Sequence, residues 1–239
     1  MKEGQPKIVR LDEYQSPAYV TDNTRLKFDI EDGRTRVISE LDIRRVRGDS
    51  TEIYLNGEEL ELVSVSVDGR RISENEYSVD DFGMTIFGLG ETHTIQIVTE
   101  IVPEQNTALE GLYKSSAMYC TQCEAEGFRK ITYYQDRPDV LSRFTTTVIA
   151  DGERFPNLLS NGNLLKEEFL DGGRKSVTWS DPFPKPSYLF ALVAGNLSVL
   201  EDLFVTKSGR NVNLKIFSEA HNIKQCHYAM DALKRSMKW

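Results

Sequence analysis

The sequence predicts a mainly β protein: an antiparallel, saddle-shaped β-sandwich followed by a short β segment and a terminal helix. Apolar side chains alternate with charged ones in short stretches, as at Leu26, Phe28 and Ile30, which is the period of a strand with one buried face. No proline occurs between Pro17 and Pro103, as expected where several strands pair. Short strands at this spacing favour antiparallel pairing over βαβ units.

Two glycine-containing dipeptides predict where strands turn. Asn56-Gly57 and Asp68-Gly69 both follow apolar runs, and both tolerate the positive φ of a tight hairpin turn. Between them, the apolar residues shift from even to odd positions near Leu62 and Val63. Since a strand has a period of two, this shift predicts a β-bulge.

A proline-rich run, DPFPKP at residues 181–186, interrupts the later strand patterns. Proline cannot donate a hydrogen bond within a central strand, so we expect this run to cross the surface.

The last part of the chain changes from strand to helix. Strand patterns restart after residue 195, and Cys226, Met230, Leu233 and Met237 then repeat at helical spacing. No glycine, asparagine or proline ends this helix before Trp239. We therefore expect the chain to be cut from a longer protein.

Composition and charge exclude several classes of function. The chain has 29 Lys and Arg against 37 Asp and Glu, a net charge of −8, so it lacks the basic surface of a nucleic-acid-binding protein. No apolar run approaches the roughly 20 residues of a membrane span. The N-terminus has no apolar signal-peptide core, and three cysteines do not form a disulfide framework. We expect a cytoplasmic protein with reduced thiols.

Cysteine and histidine residues were the first candidates for a chemical site. Cys120 and Cys123 have the spacing of a redox or metal-binding pair, but a thioredoxin-like site needs a βαβ context. A structural zinc needs four ligands, for which Cys226 and its neighbour His227 would have to join. No histidine opens an HExxH motif and no GxSxG is present. Two packed thiols are the favoured interpretation, and the sequence shows no complete active site.

Acidic residues in the middle of the chain are the next candidates. Glu124 and Glu126 lie in an aromatic segment without strand alternation, and the turn DRPD at residues 136–139 suggests an internal ion pair. The pattern alone favours a solvated acidic loop followed by an ordinary turn.

Several longer segments resemble the N-terminal domain of the aminopeptidase N family of zinc metallopeptidases, in its bacterial branch. They are GLY at 111–113, TQCEAEGFRKITYYQDRP at 121–138, LSNGN at 159–163, DPFPKP at 181–186 and LFALVAG at 189–195. The chain has FRK and TYY at 128–130 and 132–134, where many relatives have an Arg-Arg pair and a Phe-Pro-Cys run. These departures leave Gln122 and Glu124 unchanged.

The resemblance implies a division of labour between two domains. Residues 1–196 would form the N-terminal β domain, and residues 197–239 would begin a thermolysin-like catalytic domain. The family's GxMEN and HExxH motifs are absent from this sequence. The resemblance therefore implies that zinc is bound by the catalytic domain, that this chain contains no catalytic residue or metal ligand, and that the chain alone is inactive.

The resemblance also implies a substrate-binding role for two residues. Gln122 and Glu124 would face the zinc cleft and hold the free α-amino group of a peptide, with the thiol of Cys123 turned into the packing between them. The partners implied are peptides with a free N-terminus and the protein's own catalytic domain. The alternatives are a stand-alone, non-enzymatic β-sandwich binding module and a zinc or redox module built on Cys120, Cys123 and Cys226.

Overall fold

The computed structural model of the protein describes residues 10–239. The chain divides into two compact units, Met1–Ala194 and Gly195–Trp239. Strands dominate the described residues, so the prediction of a mainly β fold is confirmed.

The first unit contains strands in three sheets. They are β1 (Tyr19–Glu31), β2 (Arg34–Arg45), β3 (Ile53–Asn56), β4 (Glu61–Val67), β5 (Arg70–Arg71), β6 (Tyr77–Asp80), β7 (Gly83–Ile86), β8 (Thr92–Ile101), β9 (Gly111–Ser115), β10 (Met118–Gln122), β11 (Ser142–Asp151), β12 (Asn157–Ser160), β13 (Asn163–Phe169), β14 (Arg174–Lys185) and β15 (Leu192–Gly195). Short 3₁₀ turns occur at Leu11–Glu13, Pro103–Gln105, Phe128–Lys130, Asp171–Gly173 and Ser187–Leu189.

The largest sheet has the strand order β13-β14-β11-β1-β2-β8-β4-β5. One pair within it, β1 and β11, is parallel, with Phe28 opposite Val148, whereas the other pairs are antiparallel. The antiparallel prediction did not include this pair. Strands far apart in sequence need no tight turn between them, so local alternation cannot show their direction.

Two smaller sheets complete the first unit. One has the order β12-β15-β10-β9, and the other has the order β3-β7-β6. The first of these carries the predicted site, because β10 ends at Gln122.

The predicted hairpin at Asn56-Gly57 is wrong. Strand β3 pairs with β7, whereas β4 pairs with β8 in a different sheet. Asn56 instead forms an isolated bridge with Tyr134. At Gly57, a Cβ atom would lie 2.3 Å from Cδ1 of the buried Tyr133 ring. The glycine is therefore required for a close packing contact and not for a positive φ.

The other two local predictions are confirmed. Asp68 and Gly69 have φ values of 51° and 79° in the turn that joins β4 to β5. The pairing of β4 with β8 shifts register between Leu62 and Ser64, which is the predicted bulge.

The proline-rich run is exposed as predicted, but it belongs to a strand. Residues 182–184 are exposed and continue β14 to Lys185. The pairing with β13 ends at Ser180, and the pairing with β11 shifts register between Ser142 and Phe144. One-sided pairing and a bulge remove the need for the N–H groups that proline lacks.

A cluster of aromatic rings lies in the core of the first unit. The ring of Phe128 packs against Tyr134, Phe144 and Phe190, with centroids 4.9, 6.0 and 5.3 Å away. Phe28 stacks on Phe190 from β1. Edge-to-face pairs of this kind contribute about 0.5–1.5 kcal/mol each beyond the burial of apolar area. The segment that follows the predicted site is therefore anchored in the core.

The second unit contains β16 (Ser198–Val205), β17 (Asn211–Ser218), a 3₁₀ turn at Ile223–Gln225 and the helix α1 (Cys226–Lys238). The two strands form an antiparallel hairpin, and the predicted terminal helix is confirmed. Among residues 10–239, no helix has both the length and the apolar character needed to cross a membrane.

We predict that Gly57→Ala destabilises the first unit by about 1–3 kcal/mol, because the added methyl group must displace the Tyr133 ring. Urea unfolding followed by the fluorescence of the partly buried Trp179 would measure this change. Gly90→Ala is the control, because the atom nearest to its added Cβ, Nε2 of His93, would lie 3.3 Å away, against 2.3 Å for the Tyr133 ring at Gly57. Equal unfolding midpoints for the two variants would contradict the proposed close contact.

Candidate functional site

Gln122 and Glu124 lie side by side at the end of β10. Gln122 is the last residue of the strand, and Glu124 lies in the loop that follows; both are exposed. Cys123 between them is only 2% exposed. This in–out alternation continues the period of the strand and leaves the two polar side chains at the surface.

Both side chains present hydrogen-bond acceptors. Nε2 of Gln122 donates to the backbone oxygen of Glu124 at 3.2 Å, which leaves the amide oxygen of Gln122 as an acceptor. Within residues 10–239, the Glu124 carboxylate has no hydrogen-bonding or ion-pairing partner. A carboxylate beside a neutral acceptor suits a cationic group with several N–H donors, such as an ammonium ion.

The loop that carries Glu124 is closed by its own backbone. The N–H of Gly127 donates to the oxygen of Cys123 at 2.8 Å, and the peptide bond between Glu124 and Ala125 is cis. A Cβ atom at Gly127 would lie 2.5 Å from the oxygen of Gln122 and 3.0 Å from the nitrogen of Gly111. The loop is therefore packed directly against the end of the β9–β10 hairpin.

A buried ion pair follows the loop. Asp136 accepts hydrogen bonds from the backbone nitrogen of Arg129 at 3.1 Å and from its Nε at 3.0 Å. The Asp136 side chain is 1% exposed and that of Arg129 is 13% exposed. Ser187 donates to the second carboxylate oxygen of Asp136 at 2.6 Å. Both oxygens of the Asp136 carboxylate thus accept hydrogen bonds from protein groups.

The turn at residues 136–139 contains the predicted internal ion pair, between Arg137 and Asp139 at 2.7 Å. The sequence does not indicate the partners of Asp136, which are Arg129 and Ser187. Ser187 is 51 residues away, and no motif or spacing connects the two positions. For the loop itself, the sequence indicated only that Cys123 points inward between Gln122 and Glu124, and the structure agrees.

Glu126 differs from Glu124. Its Oε2 lies 3.3 Å from Nη1 of Arg129, and its side chain is 70% exposed. This carboxylate already has a cationic partner, so the two glutamates of the loop are not equivalent.

All three cysteines, Cys120, Cys123 and Cys226, are free thiols. Burial raises the pKa of the Cys123 thiol far above its ordinary range, which disfavours the thiolate that metals and disulfide exchange require. Cys120 is partly exposed and Cys226 belongs to the second unit. Over residues 10–239, no group of three or more His, Cys, Asp or Glu could hold a metal ion.

A groove of about 1070 Å³ lies next to the buried ion pair, with Tyr14, Tyr54, Arg129 and Arg137 among its lining residues. Gln122 and Glu124 do not line it. The predicted site is exposed and lies outside this groove.

We predict that Cys123 resists alkylation by iodoacetamide at neutral pH in the folded protein, because it is buried and its raised pKa keeps it protonated. Peptide mapping by mass spectrometry would compare its labelling before and after unfolding, with the partly exposed Cys120 as internal reference. Labelling of Cys123 as fast as in the unfolded chain would contradict this packing.

Comparison with known proteins agrees with the fold and with the sequence segments. Residues 20–189 match the model of the peptidase M1 N-terminal domain. Aminopeptidase N of Caulobacter vibrioides is 51% identical over the whole chain, and that of Escherichia coli is 46% identical over 98% of it. The chain spans 28% and 27% of the length of these two relatives.

Solved structures show the same fold. Aminopeptidase A of Legionella pneumophila, solved in complex with aspartic acid, has a TM-score of 0.91 and 35% identity over 96% of this chain and 27% of its own. An M1 zinc metallopeptidase of Deinococcus radiodurans has a TM-score of 0.72 at 16% identity, over 85% of this chain and 48% of its own. The predicted family resemblance is confirmed: the chain belongs to the peptidase M1 N-terminal domain family.

Proposed function

We propose that this chain is the N-terminal part of a zinc-dependent aminopeptidase that removes N-terminal residues from peptides. Within it, Gln122 and Glu124 would bind the α-ammonium group of the substrate. The observation that carries the proposal is the exposed Glu124 carboxylate, which lacks a partner among residues 10–239 and lies beside the acceptor oxygen of Gln122.

The proposed contact explains how such an enzyme would recognise a chain end. A free N-terminus carries a cation, whereas an internal peptide bond does not, so a carboxylate at a set position distinguishes the two. A hydrogen bond to a charged group contributes about 1.5–3 kcal/mol. Gln122 would accept a second N–H bond without adding charge. Holding the amino group in this way would place the first peptide bond at a constant distance from the carboxylate.

Zinc would be held outside this chain. Residues 10–239 offer no group that fits the ion, and the relative from Deinococcus radiodurans is described as a zinc metallopeptidase. We propose that residues 197–239 begin the catalytic domain that supplies the zinc ligands and the catalytic groups. The role of residues 1–196 would be to bind the amino group and to cap the cleft. The cytoplasmic location stays a prediction.

We predict that Glu124→Ala in the full-length protein lowers kcat/KM for aminoacyl anilides by about 10- to 100-fold, the range that corresponds to one lost charge-assisted hydrogen bond. Steady-state kinetics would measure it. Glu126→Gln is the matched control, because it removes a carboxylate from the same loop that is already paired with Arg129. Unchanged kinetics for Glu124→Ala, or equal losses for both variants, would refute the assignment.

We also predict that residues 1–239 alone hydrolyse no aminoacyl anilide and bind no stoichiometric zinc. The physical reason is the lack of a fitting ligand group among residues 10–239. Activity assays and elemental analysis of the purified chain, with the full-length protein as positive control, would test this. Hydrolysis or one zinc per chain would show that the chain is more than a substrate-binding part.

A further inference from the structure

We propose that Asp136 is a positioning residue for Glu124: its buried carboxylate would set the place of the substrate-binding loop through Arg129. This inference rests on the proposed function of Glu124. Asp136 itself is 5% exposed and its side chain is fully engaged by protein partners, so it would act only through the loop.

Asp136 holds the C-terminal side of the loop. One of its carboxylate oxygens accepts both the backbone N–H and the Nε–H of Arg129, and its backbone oxygen accepts from Nη2 of Arg129 at 3.1 Å. Arg129 donates three hydrogen bonds to Asp136, and together they determine the position of the Arg129 backbone and of its planar guanidinium group. The start of the turn after the loop therefore has little freedom to shift.

Arg129 transmits this constraint back to the loop. Its Nη1 also lies 3.3 Å from Oε2 of Glu126, but that carboxylate is 70% exposed, so this pair contributes little and the constraint passes through the backbone. In the same turn, the N–H of Lys130 donates to the oxygen of Gly127 at 3.1 Å. Gly127 in turn closes the loop on Cys123. A displacement of Arg129 would thus move the backbone from which the Glu124 side chain projects.

Ser187 connects the same carboxylate to the strand beside the site. It donates to Asp136 at 2.6 Å and lies just before β15, which pairs with β10. The N–H of Leu192 in β15 also donates to Oγ1 of Thr121, at 2.8 Å and one residue before Gln122. Asp136 therefore connects the element that carries Gln122 to the loop that carries Glu124.

These contacts assign to Asp136 the relative placement of the two substrate-binding side chains. Replacing the carboxylate by an amide would leave one acceptor oxygen where Arg129 and the buried Ser187 now use two. Arg129 would keep only the carboxylates of Glu126 and Glu58, 3.3 and 3.8 Å from its Nη1. The loop would relax to satisfy Arg129 and Ser187. Small misplacements of a substrate-orienting group reduce rates strongly, by up to about 100-fold for 1 Å.

The test is a double-mutant comparison in the full-length enzyme. Asp136→Asn keeps the shape of the side chain, and we expect it to lower kcat/KM for aminoacyl anilides by about 10-fold. In a Glu124→Ala background, the same change should lower kcat/KM by less than about 2-fold, because the residue that it positions is gone. Ser187→Ala should show a smaller loss with the same dependence on Glu124. Asp139→Asn, in the same turn but paired with Arg137, should match the wild type.

Each outcome decides the proposal. Equal losses from Asp136→Asn with and without Glu124 would mean a general structural role and would overturn it. If Asp136→Asn does not fold, Ser187→Ala makes the same comparison, and failure of both to fold would show that Asp136 serves the fold itself and would also overturn it. A Glu124→Ala enzyme with wild-type kinetics would instead refute the proposed function, which separates the two failures.

Discussion

The buried ion pair between Arg129 and Asp136 is the interaction that fixes the segment following the candidate site. Burying two charges removes them from water, a cost that their mutual attraction offsets only with good geometry and further hydrogen bonds. Here the further bonds come from the Arg129 backbone and from Ser187. The packing of Phe128 against its aromatic neighbours supplies apolar burial immediately beside the pair. Apolar packing thus stabilises the segment, and the charges specify its position.

The Glu124 carboxylate shows the opposite arrangement, since it is exposed and unpartnered within residues 10–239. In water, two unit charges 4 Å apart attract by about 1 kcal/mol, whereas in the partly desolvated environment of a protein cleft the attraction reaches about 4 kcal/mol. An open surface of this chain would therefore hold an ammonium group weakly. The proposed binding role needs a cover that excludes water, and this agrees with the proposal that a further domain completes the cleft.

Local patterns predicted elements well where the physical cause was itself local. The turn at Asp68-Gly69, the bulge near Leu62 and the terminal helix follow from backbone preferences and side-chain period. The prediction of a hairpin at Asn56-Gly57 was wrong because this glycine makes room for the ring of Tyr133, which is distant in the sequence. The prolines at 182 and 184 lie within a strand because the pairing of β14 with β13 has ended before them and its pairing with β11 is interrupted by a register shift. The positions of the neighbouring strands determine both features.

The sequence by itself determined the β-rich class, the family and the two candidate residues, because alternation, turn residues and long shared segments are all recorded in the order of amino acids. Tertiary structure alone decided that β1 and β11 run parallel, that Glu126 is paired while Glu124 is not, and that Asp136 binds Arg129 and Ser187. The reason is that hydrogen bonds and ion pairs depend on distances of about 3 Å between atoms. Such distances are set by chain folding over tens of residues.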